Sequence, residues 1–192
     1  MIRAVSRWEP DARGRLEEAA AELYAERGFD EATVADVAGR AGLTERTFFR
    51  HFADKRDVLF SGSESFQEAF VQPVIDAPQS SSPVEALVAG MSSAGSLLEA
   101  NRSPEFARRR ARIIAASAEL RERELMKFST LASALSEVLQ QRGLSEPAAR
   151  LLSEVATSVF RVAFDRWIEE SNQRGLTELI TESLDRLREL LR

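Results

Sequence analysis

One short stretch, TVADVAGRAGLTERTFFRHF at residues 33–52, leaves few folds open. Val34, Val37, Ala38 and Ala41 fall on one face of a first short helix. Phe48 and Phe52 fall on one face of a second, at the spacing that makes helical neighbours. Between the two helices stands Gly42, where the chain must reverse and positive φ is favoured. Leu43 follows as a plug into the core, and Ala38 is small, as a close helix crossing demands. Two short helices joined by a tight glycine turn form a helix-turn-helix. A plain αα-corner in a bundle would satisfy the same spacing, so the charges on the outer face have to decide.

That outer face is basic. The second helix turns Arg46, Arg50 and His51 outward, with Glu45 beside them. Phe49 is rotated about 100° from Phe48 and leans away from the core. From Arg40 to Arg56 five basic residues (Arg40, Arg46, Arg50, Lys55, Arg56) stand against two acidic ones (Glu45, Asp54), inside a chain of net charge −5. Local charge governs association more than the sum does. If this helix entered a major groove, its N-terminal residues Thr44, Glu45, Arg46 and Thr47 would reach base edges while the flanking cations met phosphates. Lys55 follows Asp54 at the start of the next helix, where its ammonium and free backbone N–H groups can both meet a phosphate. Ahead of the first helix, Arg3 and Arg7 form either a minor-groove arm or a disordered terminus, with Trp8 as a staple to the helix start.

Helical spacing continues along the whole chain, and strand alternation is absent. The breakers and caps predict about nine helices. A first helix opens at Pro10 and closes at Gly28. Thr33 with Asp36 forms a capping box for the second. Thr44 caps the third and Asp54 the fourth, which carries Val58, Leu59, Phe66 and Phe70 and stops near Pro73. A Pro/Ser-rich connector follows, and Ser82, Pro83 and Glu85 open the next helix, which runs to about Ala100. Ser103–Pro104 restarts the chain, Ser117 caps a further helix, and Gly143 ends it. Ser145–Glu146–Pro147 begins a helix that runs to about Asn172 and ends at Gly175, and a last helix fills Leu176 to Leu191.

The residue inventory narrows the function. With one histidine and no cysteine, neither a zinc site nor a thiol chemistry is expected. His51 lies among basic residues with no GxSxG elbow in the chain, and no Gly-rich phosphate loop is present. An enzyme is therefore not expected, nor a cofactor or metal. No run approaches the roughly 18 apolar residues of a membrane span. MIRAVSRWEP has no apolar signal core, so the expected location is the cytoplasm, with no membrane partner.

Residues 28–60, GFDEATVADVAGRAGLTERTFFRHFADKRDVLF, resemble the DNA-binding domain of the TetR family of transcriptional regulators. The shared pattern is Gly–Phe after the first helix, Thr-Val-x-x-Val-Ala, Ala-Gly-Leu, an aromatic pair, His–Phe and a downstream lysine. The resemblance implies an all-α homodimer. Residues 1–57 would bind double-stranded DNA at a palindromic operator, and residues 58–192 would bind a small-molecule effector and dimerise. It implies that Thr33, His51 and Lys55 contact phosphate, and that Thr44 to Thr47 read bases. The family commonly has tyrosine where this chain has Phe49, which offers only stacking or apolar contact, for example with a thymine methyl. Arg46 is expected to read guanine, with a phosphate contact as the alternative. The implied function is a repressor released by a small, largely apolar ligand. The competing reading is a helical protein-interaction module, which has no need of Arg46, Arg50 and Lys55 on one exposed face.

In the second half, two broad apolar faces must be buried. One carries Leu151, Leu152, Val155, Ala156, Val159, Phe160, Ala163 and Trp167, the other Leu176, Leu179, Ile180, Leu184, Leu187, Leu190 and Leu191; the dimer interface is expected at Leu152, Val155, Val159, Phe160, Leu176, Ile180, Leu184 and Leu187. They either pack within the subunit or, as the resemblance implies, form a four-helix dimer interface. Two recognition helices about 34–36 Å apart read a palindrome better than one. In the RRRAR run at residues 108–112, Arg108 and Arg112 are expected in solvent. Arg110 falls on the apolar side, paired with a carboxylate at the domain junction or meeting an anionic ligand. The pocket that the resemblance implies could be lined by Met91, Phe106, Met126, Phe128, Phe160, Phe164 and Trp167, each of which would serve equally as core.

Overall fold

The computed structural model describes residues 11–191, and all of its regular structure is helical. Ten segments follow in order: α1 (Ala12–Arg27), α2 (Val34–Arg40), α3 (Glu45–His51), α4 (Asp57–Phe60), α5 (Ser63–Asp76), α6 (Pro83–Asn101), α7 (Pro104–Ala116), α8 (Ala118–Gln141), α9 (Glu146–Trp167) and α10 (Leu176–Leu190). Among the described residues, these are nine helices of two turns or more and the single-turn α4. The expectations on Arg3, Arg7, Trp8 and Pro10 lie outside the described residues.

Local chemistry sets most of these boundaries. Thr33 and Asp36 exchange a capping box at the start of α2, and Ser82 and Glu85 do the same for α6. Thr44 Oγ1 accepts from Thr47 N–H at 3.2 Å, and Ser103 Oγ from Phe106 N–H at 3.2 Å. Ser117 separates α7 from α8 with a single extended residue and caps the second of them. Asp54 Oδ1 accepts from the N–H groups of Arg56 and Asp57, which turns the chain into α4. Gly28, Gly42 and Gly143 all take positive φ at helix ends.

Three boundaries differ from the sequence reading. The fourth helix is interrupted after Phe60, where Ser61 and Gly62 break it into α4 and α5. Pro73 does not stop α5, which runs on to Asp76. Gly175 has ordinary extended backbone and precedes α10. The end of α9 comes earlier, at Trp167, where Asn172 Nδ2 donates to the carbonyls of Trp167 and Arg174 and closes the loop.

Two apolar clusters form. The first gathers α1 to α4 (Leu16, Leu23, Phe29, Val37, Phe48, Phe52, Val58 to Phe60) and is completed by Ile113 and Ile114 of α7 and Leu120 of α8. The second fills the space between α5, α6, α8, α9 and α10. Val58, Leu59 and Phe60, expected with the second half, thus pack in the first cluster. No helix among the described residues is long and apolar enough to cross a membrane.

Candidate nucleic-acid interface and cavity

Phe48 and Phe52 are buried and pin α3 to the first cluster, their ring centroids 5.4 Å apart. The turn before α3 is closed by Leu43 N–H to the Ala38 carbonyl at 2.8 Å and Gly42 N–H to the Gly39 carbonyl at 3.0 Å. Arg15 also donates to the Ala41 carbonyl from α1. With its inner face so held, α3 turns Thr44, Glu45, Arg46, Phe49 and Arg50 into solvent. Phe49 is 55 % exposed, a large apolar ring that meets Phe48 edge-on with centroids 5.5 Å apart and turns its other side to solvent. Thr47 and His51 are half-buried at its edges, and His51 Nε2 lies 3.5 Å from Arg50. Thr33 is exposed at the start of α2, its hydroxyl held by Asp36 at 2.6 Å.

Three of the basic residues of this stretch are engaged within the subunit. An ammonium has three donors. Those of Lys55 are directed at the carbonyls of Phe29, Asp30 and Ala32 at 2.9, 3.1 and 3.3 Å, with Nζ 4.4 Å from the Phe29 ring centre. Lys55 thus ties the start of α4 to the loop between α1 and α2. Arg40 grips Glu26 with two hydrogen bonds of 2.7 Å and lies 3.6 Å from Glu22, at the exposed surface. Arg56 is paired likewise, with Asp54 and Glu119. Arg46 and Arg50 make no ion pair among the described residues, and they stand on the same exposed ridge as Phe49.

A cavity of about 420 Å³ opens behind this unit. Of the residues named for a pocket, Phe106, Arg110, Phe128, Phe160, Phe164 and Trp167 line it. Met91 and Met126 do not. Met91 is sealed in the second cluster, and Met126 is 61 % exposed on the outer side of α8. The sequence reading missed Leu59 and Phe60 of α4, Phe66 of α5, and Glu124 and Lys127 of α8. A helical count places Glu124, Lys127 and Phe128 on one face, but nothing local says that this face meets α4.

Arg110 is the joint between the cavity and α4. Its Nη2 lies 3.0 Å from Glu124, its Nε donates to the Leu59 carbonyl at 2.7 Å, and its guanidinium stands 5.1 Å from the Phe60 ring centre. Lys127 Nζ meets the same Glu124 at 2.9 Å. Burial works to raise the Glu124 pKa, but the charges and hydrogen bonds of Arg110 and Lys127 outweigh it and hold the carboxyl at about 2. Burial and the neighbouring Arg110 push Lys127 down to about 8, against the pull of Glu124. In the same basic run, Arg112 is exposed as expected, whereas Arg108 is largely covered and donates to the Ile168 carbonyl.

Of the residues expected at a dimer face, five are buried within the subunit and three are partly exposed. Val159, Phe160, Leu176, Ile180 and Leu184 are buried inside the subunit, and Leu152, Val155 and Leu187 are half-buried against the same core. The cause is that α9 and α10 pack on each other and on α6 and α8, which uses their richest apolar stripes. Leu151 of α9 and Leu190 and Leu191 at the end of α10, counted on the same apolar faces, are left exposed, and Val162 of α9 joins Leu151 outside, the two being 54 % and 65 % exposed.

A braced helix-turn-helix with a basic ridge, backed by a helical body that encloses a cavity, defines a DNA-binding regulator. Residues 16–61 match the family described as bacterial regulatory proteins, tetR family, and residues 81–192 match the MftR C-terminal domain. The chain belongs to the TetR family of transcriptional regulators. It is 25 % identical over 174 residues to MftR of Mycobacterium tuberculosis, named as a mycofactocin biosynthesis transcriptional regulator, covering 88 % of this chain and 86 % of that one. It is 33 % identical over 75 residues to the regulator TcmR of Streptomyces glaucescens, covering 39 % of this chain and 33 % of that protein's length. The fold resembles FadR of Bacillus subtilis in complex with stearoyl-CoA, at TM-score 0.63 and 21 % identity, covering 91 % of this chain and 96 % of that one. It also resembles FadR of Thermus thermophilus in complex with lauroyl-CoA, at TM-score 0.55 and 22 % identity, covering 92 % and 93 %.

Proposed function

We propose that this protein is a homodimeric, cytoplasmic repressor that holds a palindromic operator through α3 of each protomer and lets go when a small, largely apolar effector fills the cavity. The cavity wall carries the reading. Leu59 and Phe60 of α4, which belong to the cluster that braces α3, face the same space as Arg110, Phe128 and Phe160. An occupant touching both sets has different contacts in any two arrangements of them, which is what a ligand needs in order to shift an equilibrium. The two FadR complexes hold acyl-CoA ligands in a similar fold, which supports an effector with a long apolar part.

On DNA, Arg46 takes a guanine edge, whose paired acceptors match a guanidinium. Thr44, Glu45 and Thr47 accompany it at the N-terminal end of α3, while Thr33, Arg50 and His51 meet the backbone and Phe49 packs on a sugar or thymine methyl. We assign residues up to about Phe60 to the DNA-binding unit, slightly beyond the division at 57/58, because Val58 to Phe60 share its core. The remainder is the effector and dimerisation unit, and the exposed Leu151 and Val162 on α9 support a second copy docking there.

Footprinting on the DNA upstream of the protein's own coding region, at two salt concentrations, tests the whole. The expected result is a protected palindrome with half-sites about 34–36 Å apart, weakening as salt rises. Absence of protection at low ionic strength on every fragment offered would end the proposal.

A further inference from the structure

We infer that the cavity takes an amphiphile with one negatively charged head, a carboxylate, seated on Lys127 and Arg110 with its apolar tail among the phenylalanine rings. This rests on the reading of the cavity as the effector site. Five basic side chains line it (Arg102, Arg110, Arg121, Lys127, Arg161) against three acidic ones (Glu17, Glu124, Asp165). Arg102 shares Glu17, at 2.7 Å, with Arg13 at 3.3 Å, and Arg161 stands in solvent at the edge of the cavity, 5.6 Å from the Phe128 ring centre and with no ion pair among the described residues. Arg121 lies at the exposed margin, bonded to the Ala115 carbonyl. The covered pair is Arg110 and Lys127, which share Glu124 at 3.0 and 2.9 Å. Two cations on one carboxylate leave a net positive charge, and the Lys127 and Glu124 side chains are only 19 % and 24 % exposed.

The rings around that charge mark where the rest of the ligand goes. Lys127 Nζ lies 5.2 Å from the ring centre of Phe66 and 4.6 Å from that of Phe128. Ring faces attract a cation but do not neutralise it. The depressed proton affinity of Lys127 is what a covered cation beside a second cation should show. A neutral ligand leaves this excess charge in place, and a cationic one adds to it. A carboxylate completes a group of two cations and two anions, while Phe66, Phe128, Phe160 and Phe164 hold an alkyl chain.

Trp167 lines the cavity, so its fluorescence reports occupancy in the full chain. The probes are decanoate, decanol and decylammonium, which share a tail and differ in head charge. Decanoate should bind about tenfold more tightly than decanol, and decylammonium most weakly. Lys127→Met should bring decanoate and decanol within about twofold of each other, and Lys127→Arg should restore the order. Equal binding of decanoate and decanol to the unaltered protein would refute the anionic head while leaving the effector cavity intact. A preference that survives in folded Lys127→Met would put the anion elsewhere and overturn the assignment. If none of the three binds, the effector cavity fails and this inference falls with it.

Discussion

Arg46 and Lys55 carry the same charge in the same short stretch, and their surroundings give them different work. Arg46 is exposed on α3 and engaged in no ion pair among the described residues. Arg46→Ala should relax preference at one operator position by about 1–3 kcal/mol, read by measuring affinity across operators changed one base pair at a time. A loss equal on every sequence would make Arg46 a backbone contact. Lys55 is wedged under three carbonyls, so Lys55→Ala should cost about 1–3 kcal/mol of stability in urea unfolding. The salt dependence of DNA binding should hold its slope. A flatter slope with unchanged stability would return Lys55 to the phosphate contacts. Glu124 gives a pH signature. Its folded pKa of about 2 lies below the ordinary 4.5, so its stabilising share is complete above about pH 4.5 and is lost as pH falls toward 2. Denaturant midpoints should therefore fall more steeply over that window in the unaltered protein than in Glu124→Gln. Equal slopes would mean that the buried group does not hold.

Among the helices, caps were legible and crossings were not. Thr33, Thr44, Ser82, Ser103 and Ser117 all cap where a reader of the chain would place them, because each bond reaches only to a near neighbour. Gly90 stands in the middle of α6. In the fold it lies where α6 crosses α5, and a β-carbon there would come within 2.2 Å of the Phe70 carbonyl oxygen and 3.0 Å of Val74 Cγ2. Gly90→Ala should force the two helices apart and cost about 1–3 kcal/mol, seen as a lowered melting temperature. An unchanged melt would show that the crossing has slack. The break between α4 and α5 is of the same kind. It lets Val58 to Phe60 join the first cluster while Phe66 and Phe70 join the second, so one apolar run serves two cores.

At the level of the molecule, the apolar faces of α9 and α10 were readable as faces but not as to what covers them. Helical spacing says that Phe160, Leu176 and Ile180 must be buried, and packing against α6 and α8 buries them within one subunit. The proposed dimer then depends on the sparser outward residues. Val162→Glu should shift sedimentation toward the monomer and weaken operator binding together. A variant that remains dimeric would move the interface off α9. Helix type, caps and breakers could be read from the chain because they depend on groups within a turn or two of one another. The basic ridge and its phenylalanine backing were legible for the same reason. Which cations are free, which apolar stripes are covered and where a cavity opens depend on partners far away in the chain. Phe29 offers its carbonyl to Lys55, Glu26 takes Arg40, and Leu59 holds Arg110. Those pairings exist only once the helices have packed, so the packed molecule alone decides them.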